Sequence, residues 1–277
     1  MEIECPYEDL HIYLLRGVVK REEEGMLGEA FVGNWVEDGT SFLFFSEPAE
    51  EIVASLLKSR ENLELLEQYQ MPYKEWQGGM LEALTMGSLS VIPPWGRYEG
   101  LEKEKTIILD PGVVFGNGLH PTTRDCMQAL SFVYEQGPLA RVLDLGTGTG
   151  ILAMACAVLG ADRVLAVDLN PLCVQTAEKN VQLNGLKEIV KVFEGDALNF
   201  LHEEVDFVIA NIHYDVIHGL LEHDHFRRIP RMLISGLMRS QARMVQHDLK
   251  RYGIPIVREW EHEMTWYTIL GGGGRND

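Results

Sequence analysis

The stretch RVLDLGTGTGILAMACAVLG, residues 141–160, constrains this chain more than any other. It reads as a strand, then a turn with glycine at every second position, then an apolar helix. The rhythm continues: RVLAVDL is a strand, PLCVQTAEKNVQLNG a helix with Pro171 at its start and Gly185 beyond its end, and IVKVF a strand. VDFVIAN, a helical stretch around DVIHGLLEH, the strand RMLISG, a helix across LMRSQARMVQHDLKRYG and the pair IPIVREW and TWYTIL complete the series. Strands alternating with helices predict an α/β fold, a doubly wound and mostly parallel sheet covered on both faces. The closing pair, joined by a short loop, is expected to run antiparallel.

A glycine loop between the first strand and helix of such a sheet lets a ligand approach bare backbone. The helix start offers unpaired N–H groups to a carboxylate or phosphate. Gly146, Gly148 and Gly150 are spaced G-x-G-x-G, whereas the dinucleotide fingerprint places its third glycine one residue later. NAD is therefore the disfavoured rival ligand. Asp144 lies two positions before Gly146, Asp168 ends the next strand 22 residues after Gly146, and Asp196 follows the third strand. All three belong to the carboxyl edge, where nucleosides bind in open sheets. A nucleoside ringed by acids and lacking pyrophosphate should carry a positive centre, and S-adenosylmethionine has that charge pattern. Asn211 ends the fourth strand, where its amide oxygen can accept a hydrogen bond from an incoming amine and turn the nitrogen lone pair toward a methyl donor. His213, Tyr214 and Asp215 stand near enough to serve as bases, with an ordinary helix-start role as the competing explanation.

The first third of the chain has a different grammar. Residues 1–70 read as a small α+β unit: IYLLRGVV and EAFVGNWV are strands, and Asp38-Gly39 signals a hairpin into SFLFFS. A helix then carries Pro48 near its start and Ile52, Leu56 and Leu57 on one face, before a final strand in ENLELLEQYQ. That order resembles a ferredoxin-like split βαβ, although REEEGMLG is short for its first helix. Residues 71–105, with Trp76, Gly78, Gly79 and the Pro93-Pro94-Trp95-Gly96 cluster, are expected to form an irregular connector to the larger domain, 106–277. GGGGRND is expected to be a flexible tail.

Composition narrows the partners. A formal charge of −18 opposes a phosphate backbone, so direct nucleic-acid binding is not expected, and a cationic ligand or lysine-rich protein is favoured. Apolar runs fall short of the ~18–20 residues of a membrane span, and MEIECPYEDL lacks the pattern of a secretory signal, so the expectation is a cytoplasmic protein with no membrane partner. Cys5, Cys126, Cys156 and Cys173 are too scattered for a zinc or disulfide framework. His202, His213, His218, His223 and His225 lack matched ligand spacing, and no metal is expected. The Glu22–Glu24 run reads as a solvated turn, and the five tryptophans as core or interface residues.

The blocks PGVVFGNGLHPTT, LDLGTGTGILAMA, AVDLNP, EKNVQLNG, VIANI and LISGLMRSQ, with PPW before them and WYTIL after, together resemble the PrmA family, methyltransferases acting on ribosomal large-subunit protein eleven. The likeness runs from about Tyr73 to Leu270. It implies a class I S-adenosylmethionine-dependent methyltransferase domain, a small N-terminal substrate-recognition domain, and methylation of amino groups on a basic ribosomal protein. Carried over by motif, Thr123, Gly146, Asp168 and Asn211 would contact the cofactor. Phe115, Gly116, His120 and Pro121 would form a lid over the donor. Three departures stand out: Asn117 and Leu119 replace the usual threonines of the lid, His213 replaces the usual leucine after Ile212, and residues 1–70 match little beyond strand order. They leave two alternatives open, a small-molecule amine methyltransferase on the same scaffold and a cofactor-binding module without transfer activity.

Overall fold

The computed structural model describes residues 5–96 and 99–272. The chain opens with β1 (Asp9–Arg16), α1 (Arg21–Glu24), β2 (Phe31–Glu37), β3 (Thr40–Phe45), α2 (Glu50–Ser59) and β4 (Glu64–Pro72). The four strands form an antiparallel sheet in the order β2-β3-β1-β4, the split βαβ order, with α1 reduced to a single turn. Asp38 and Gly39 both have positive φ (47° and 74°), the conformation that lets a two-residue turn follow strand twist, and it closes β2 onto β3. On α2 the fully buried residues are Val53 and Leu56, with Ile52 and Leu57 only flanking. Tyr13, Leu15, Leu43 and Phe45 share a cluster with Val53 and Leu56, so Val53 takes the core place that the sequence suggested for Ile52 and Leu57.

The opposite face of this sheet packs on the rest of the molecule. Leu10, Ile12 and Phe44 share a buried cluster with Val113, Val114, Leu172 and Cys173. Gly33 on β2 lets the sheet approach α6 closely: a Cβ there would stand 2.6 Å from Leu172 Cδ1, and that side chain would have to shift.

The connector is more ordered than its composition implied. It holds α3 (Tyr73–Trp76), β5 (Leu84–Met86) and β6 (Leu89–Ile92), and β6 pairs in parallel with β7 (Thr106–Ile108) to make a three-stranded sheet. Runs of three and four residues are too short to show periodicity. Met86, Leu89, Val91 and Ile107 are nonetheless buried in one core with Met127 and Leu130 of α4 (Pro121–Glu135).

The large sheet then follows: β8 (Arg141–Leu145), α5 (Ile151–Val158), β9 (Arg163–Asp168), α6 (Pro171–Leu183), β10 (Val190–Glu194), β11 (Phe207–Asn211), α7 (Tyr214–Glu222), α8 (Asp224–Arg227), β12 (Arg231–Met238), α9 (Arg239–Arg251), β13 (Ile256–His262) and β14 (Trp266–Gly271). Its order is β10-β9-β8-β11-β12-β14-β13, parallel through β12 and antiparallel for the last two strands. Two buried clusters, one per face, explain why these strands are near-continuous apolar runs. Leu237 and Met238, expected in a helix, extend β12 instead. They pair with Tyr267 and Trp266 beyond an irregularity at Gly236 (φ 80°), and α9 starts only at Arg239. Gly271 closes β14, and the rest of the expected tail from residue 273 on lies outside the described residues, as do residues 1–4 of the N-terminal segment. Among the described residues no helix is long and apolar enough to cross a membrane.

Candidate active site

The loop from Gly146 to Gly150 leaves the carboxyl end of β8 and delivers the chain into α5. Its three glycines have φ of 71°, 56° and 82°, in the left-handed region that side chains disfavour. Close contact adds a second reason. A Cβ on Gly146 would lie 2.0 Å from Ile212 Cγ2, and one on Gly148 would lie 2.8 Å from the carbonyl oxygen of Phe115. The amides of Gly146 and Thr147 donate to Val167 O, and the Gly148 amide donates to Asp168 Oδ2 at 2.9 Å.

Phe115 to Pro121 cover this loop. Thr149 Oγ1 donates to Gly116 O (2.8 Å), pinning the covering segment to the glycine turn. Phe115 is 56% exposed, unusual for a phenyl ring, and its ring meets His120, which in turn packs on Trp266. His120 caps α4, with its Nδ1 accepting from the Thr122 amide, and Pro121 takes the first helical position. Burial and the neighbouring His262 hold the His120 imidazole below its usual range, so the ring is neutral at physiological pH. Asn117, one departure from the family pattern, binds this segment to the connector: its amide nitrogen donates to Gln77 O and Oε1, and its oxygen accepts from Leu119 N.

The acids take three different positions. Asp144 is buried beneath the loop, where it accepts from Thr147 Oγ1 at 2.6 Å. Burial, reinforced by the nearby Asp168 charge, pushes its carboxyl up to about 7 despite that hydrogen bond. Asp168, at the tip of β9, accepts from the amides of Gly148 and Asn170, and burial raises it too. Asp196 is exposed beyond β10 and uses Oδ1 to accept from Leu198 N at the start of a 3-10 turn. The sequence placed all three at one edge, and the structure keeps Asp168 at the loop surface and Asp144 below it.

Asn211 is half-buried at the end of β11, and its side chain makes no hydrogen bond among the described residues. Gly236 abuts it: a Cβ there would meet Asn211 Oδ1 at 3.3 Å. The neighbouring candidates stand at the start of α7, with Asp215 in its first turn. His213 is the N-cap of α7 without a side-chain cap bond, and Tyr214 is turned toward Met244 of α9. Thr123, at the start of α4, is fully buried, and its hydroxyl oxygen has no partner among the described residues. His223 and His225 stack loosely after α7, away from this edge, and no group of three metal-binding side chains forms among the described residues.

Sequence reasoning missed the residue that joins the parts. Asn180 of α6 is completely buried: its Nδ2 donates to Asp110 O and Thr149 O, and its Oδ1 accepts from Asp110 N. One turn later Asn184 brackets Ile108 in the same way. Ile108 and Asp110, which lead into the covering segment, and Thr149 of the glycine loop thus hang from one helix and its C-cap. An Asn pair at i, i+4, one in the last turn of an amphipathic helix and one at its C-cap, was the available signal. Tyr73, Trp76 and Gln77, each donating to Gly112 O or Val113 O, carried no local signal, since their partners lie 35–39 residues away.

The residues present fit S-adenosylmethionine on three counts. The loop admits a ligand only where no Cβ stands, a buried threonine hydroxyl waits unpaired behind the cover, and carboxylates replace the phosphate-binding spacing of a dinucleotide site. Such a cradle under a sheet of this order makes the protein a class I S-adenosylmethionine-dependent methyltransferase. The comparisons with known proteins are specific. A family model described as "Ribosomal protein L11 methyltransferase (PrmA)" matches residues 47–272, and the chain belongs to that family. A ribosomal protein L11 methyltransferase of Listeria monocytogenes serotype 4b is 30% identical, with 92% of this chain and 87% of that protein covered. One from Desulforamulus reducens is 41% identical over 66% of this chain and 59% of its own length. The crystal structure of ribosomal protein L11 methylase from Lactobacillus delbrueckii subsp. bulgaricus superposes with a TM-score of 0.62 at 28% identity, covering 70% of this chain and all of that one.

Proposed function

We propose that this protein transfers methyl groups from S-adenosylmethionine to amino nitrogens of ribosomal protein L11 in the cytoplasm, with residues 1–70 presenting the acceptor, 71–105 linking, and 106–277 carrying the chemistry. The names of the relatives supply the acceptor. The observation that carries the chemistry is Asn211, a half-buried amide at a strand tip with its hydrogen bonds unspent. An amide so placed accepts N–H bonds from an incoming amine and fixes the direction of its lone pair.

The cofactor, when bound, supplies a methyl group on a sulfonium whose departure leaves a neutral thioether. This chain's residues do the rest. Gly146, Gly148 and Gly150 would admit the ligand to the backbone, Asp168 and Asp196 would accept from its ribose and adenine groups, Asp144 would set the charge beneath the loop, and Thr123 offers a buried hydroxyl. Phe115, Gly116, His120 and Pro121 exclude water above it. A lysine ammonium, with its ordinary pKa of ~10.4, must lose a proton before it attacks. A site walled by Phe115 and a neutral His120 favours the uncharged amine.

The test is methylation of unmodified L11 by the full-length protein, read by intact mass. Asn211→Ala should lower kcat by roughly 100-fold or more while changing cofactor affinity only a few-fold. Transfer to low-mass amines with none to L11 would replace this reading with the small-molecule one. Tight cofactor binding without any product would favour a non-catalytic module.

A further inference from the structure

Beyond β12 the carboxyl edge opens into a groove of about 530 Å3 lined by Met238, Arg239, Ser240, Arg243, Met264 and Thr265. Three contacts tie it to the active site. Met238 pairs across the sheet with Trp266, whose ring lies 4.8 Å from that of His120 in the lid. Tyr214, three residues after Asn211, places its hydroxyl 3.6 Å from Sδ of Met244, the neighbour of Arg243 on α9. Gly236, two residues before Met238, lies against the Asn211 amide. A chain seated in the groove therefore has its adjoining residues at the Asn211 tip.

The lining has two chemistries. Met238 and Met264 are exposed, as is Met244 beside the groove, and unbranched thioether side chains adapt to varied apolar partners. Arg239 and Arg243, one turn apart and exposed on α9, have no hydrogen bond or ion pair among the described residues. Two guanidinium groups at i, i+4 repel one another and are relieved by a carboxylate between them. In a chain with 42 acidic and 24 basic residues, this is a local reversal of sign beside the acceptor end of the site.

We infer that the groove seats the polypeptide segment flanking the acceptor amine, and that Arg239 and Arg243 select an aspartate or glutamate on that segment. The inference rests on the reading that the acceptor is a protein. The net negative charge draws a cationic partner from a distance, whereas the arginine pair sets the register in which one amine reaches Asn211. Bidentate guanidinium contacts suit that task because they fix orientation as well as distance.

The probes are two labelled peptides with one central lysine between leucines, one carrying two flanking glutamates and the other two glutamines. With the full chain, the glutamate peptide should bind roughly tenfold more tightly by fluorescence anisotropy and should be methylated at lower KM. The variant Arg239→Gln with Arg243→Gln should lose that preference. Arg239→Glu with Arg243→Glu should turn it toward a lysine-flanked peptide. Unchanged affinity for S-adenosylhomocysteine in both variants shows that the fold is intact. A preference retained in the glutamine variant, no preference in the parent, or displacement of the peptide by an RNA oligonucleotide would overturn the inference. Peptide preference without L11 methylation refutes the acceptor reading and leaves the groove standing, whereas L11 methylation without preference refutes the groove alone.

Discussion

Around β8 and β9 the carboxyl edge is closed by backbone: glycine turns at positive φ, carbonyls in contact with neighbouring loops, and a buried asparagine spanning two segments. Around β12 and the β13–β14 hairpin, at the same edge of the same sheet, methionines and arginines stand in solvent with few partners. The first region has the shape for one small molecule, and its residues are constrained by main-chain geometry. The second is where we propose that a polypeptide docks, and its residues are constrained only by what they touch. A shared sheet thus carries a rigid donor half and an adaptable acceptor half.

The sharpest way to break this contrast is to add one methyl group to the donor half. Gly148→Ala brings a Cβ to 2.8 Å from the Phe115 carbonyl at φ 56°, and it should weaken cofactor binding on the order of 100-fold by calorimetry. Met264→Ala in the acceptor half should leave that affinity unchanged. Equal effects from the two would dissolve the distinction.

Next in size is Asn180→Leu. It removes three buried hydrogen bonds and leaves Asp110 and Thr149 main-chain groups unpaired, so chemical denaturation should show a loss of about 3–5 kcal/mol. A loss confined to cofactor affinity, with stability unchanged, would mean that Asp110 and the glycine loop are held by other contacts.

The smallest effect is a pH dependence. The Asp144 carboxyl titrates near 7 in the folded chain against an ordinary value of 3.8, so its ionised form is disfavoured by folding. Its contribution to stability is therefore full below the ordinary carboxylate range, declines as pH rises toward about 7, and is level above that. A cationic ligand favours the ionised form, so S-adenosylmethionine affinity should climb a few-fold between about pH 6 and pH 8. Asp144→Asn should flatten the profile.

The same contrast explains what could be read in the sequence. GTGTG, Asp168 and Asn211 were legible because strand ends and glycine spacing are local properties, and the mostly parallel sheet with its antiparallel close followed from alternating periods. Asp144 was visible as an acid, but not as one buried under Thr147, because burial depends on the whole fold. The β5-β6-β7 sheet and the ties from Gln77 to Asn117 were invisible, the former because its strands are too short for periodicity and the latter because its partners lie 40 residues apart. Met238, Arg239 and Ser240 fall within LISGLMRSQ, but nothing in that block marks them as a groove. The groove's residues come from β12, α9 and a hairpin and meet only in space.

One titration tests the donor half most directly: isothermal calorimetry of S-adenosylmethionine into the full chain and into Asp168→Ala. The account requires saturable one-site heat for the parent chain, at least roughly tenfold weaker in the variant, with NAD giving none. Heat from NAD alone, or identical curves for the two proteins, would contradict it.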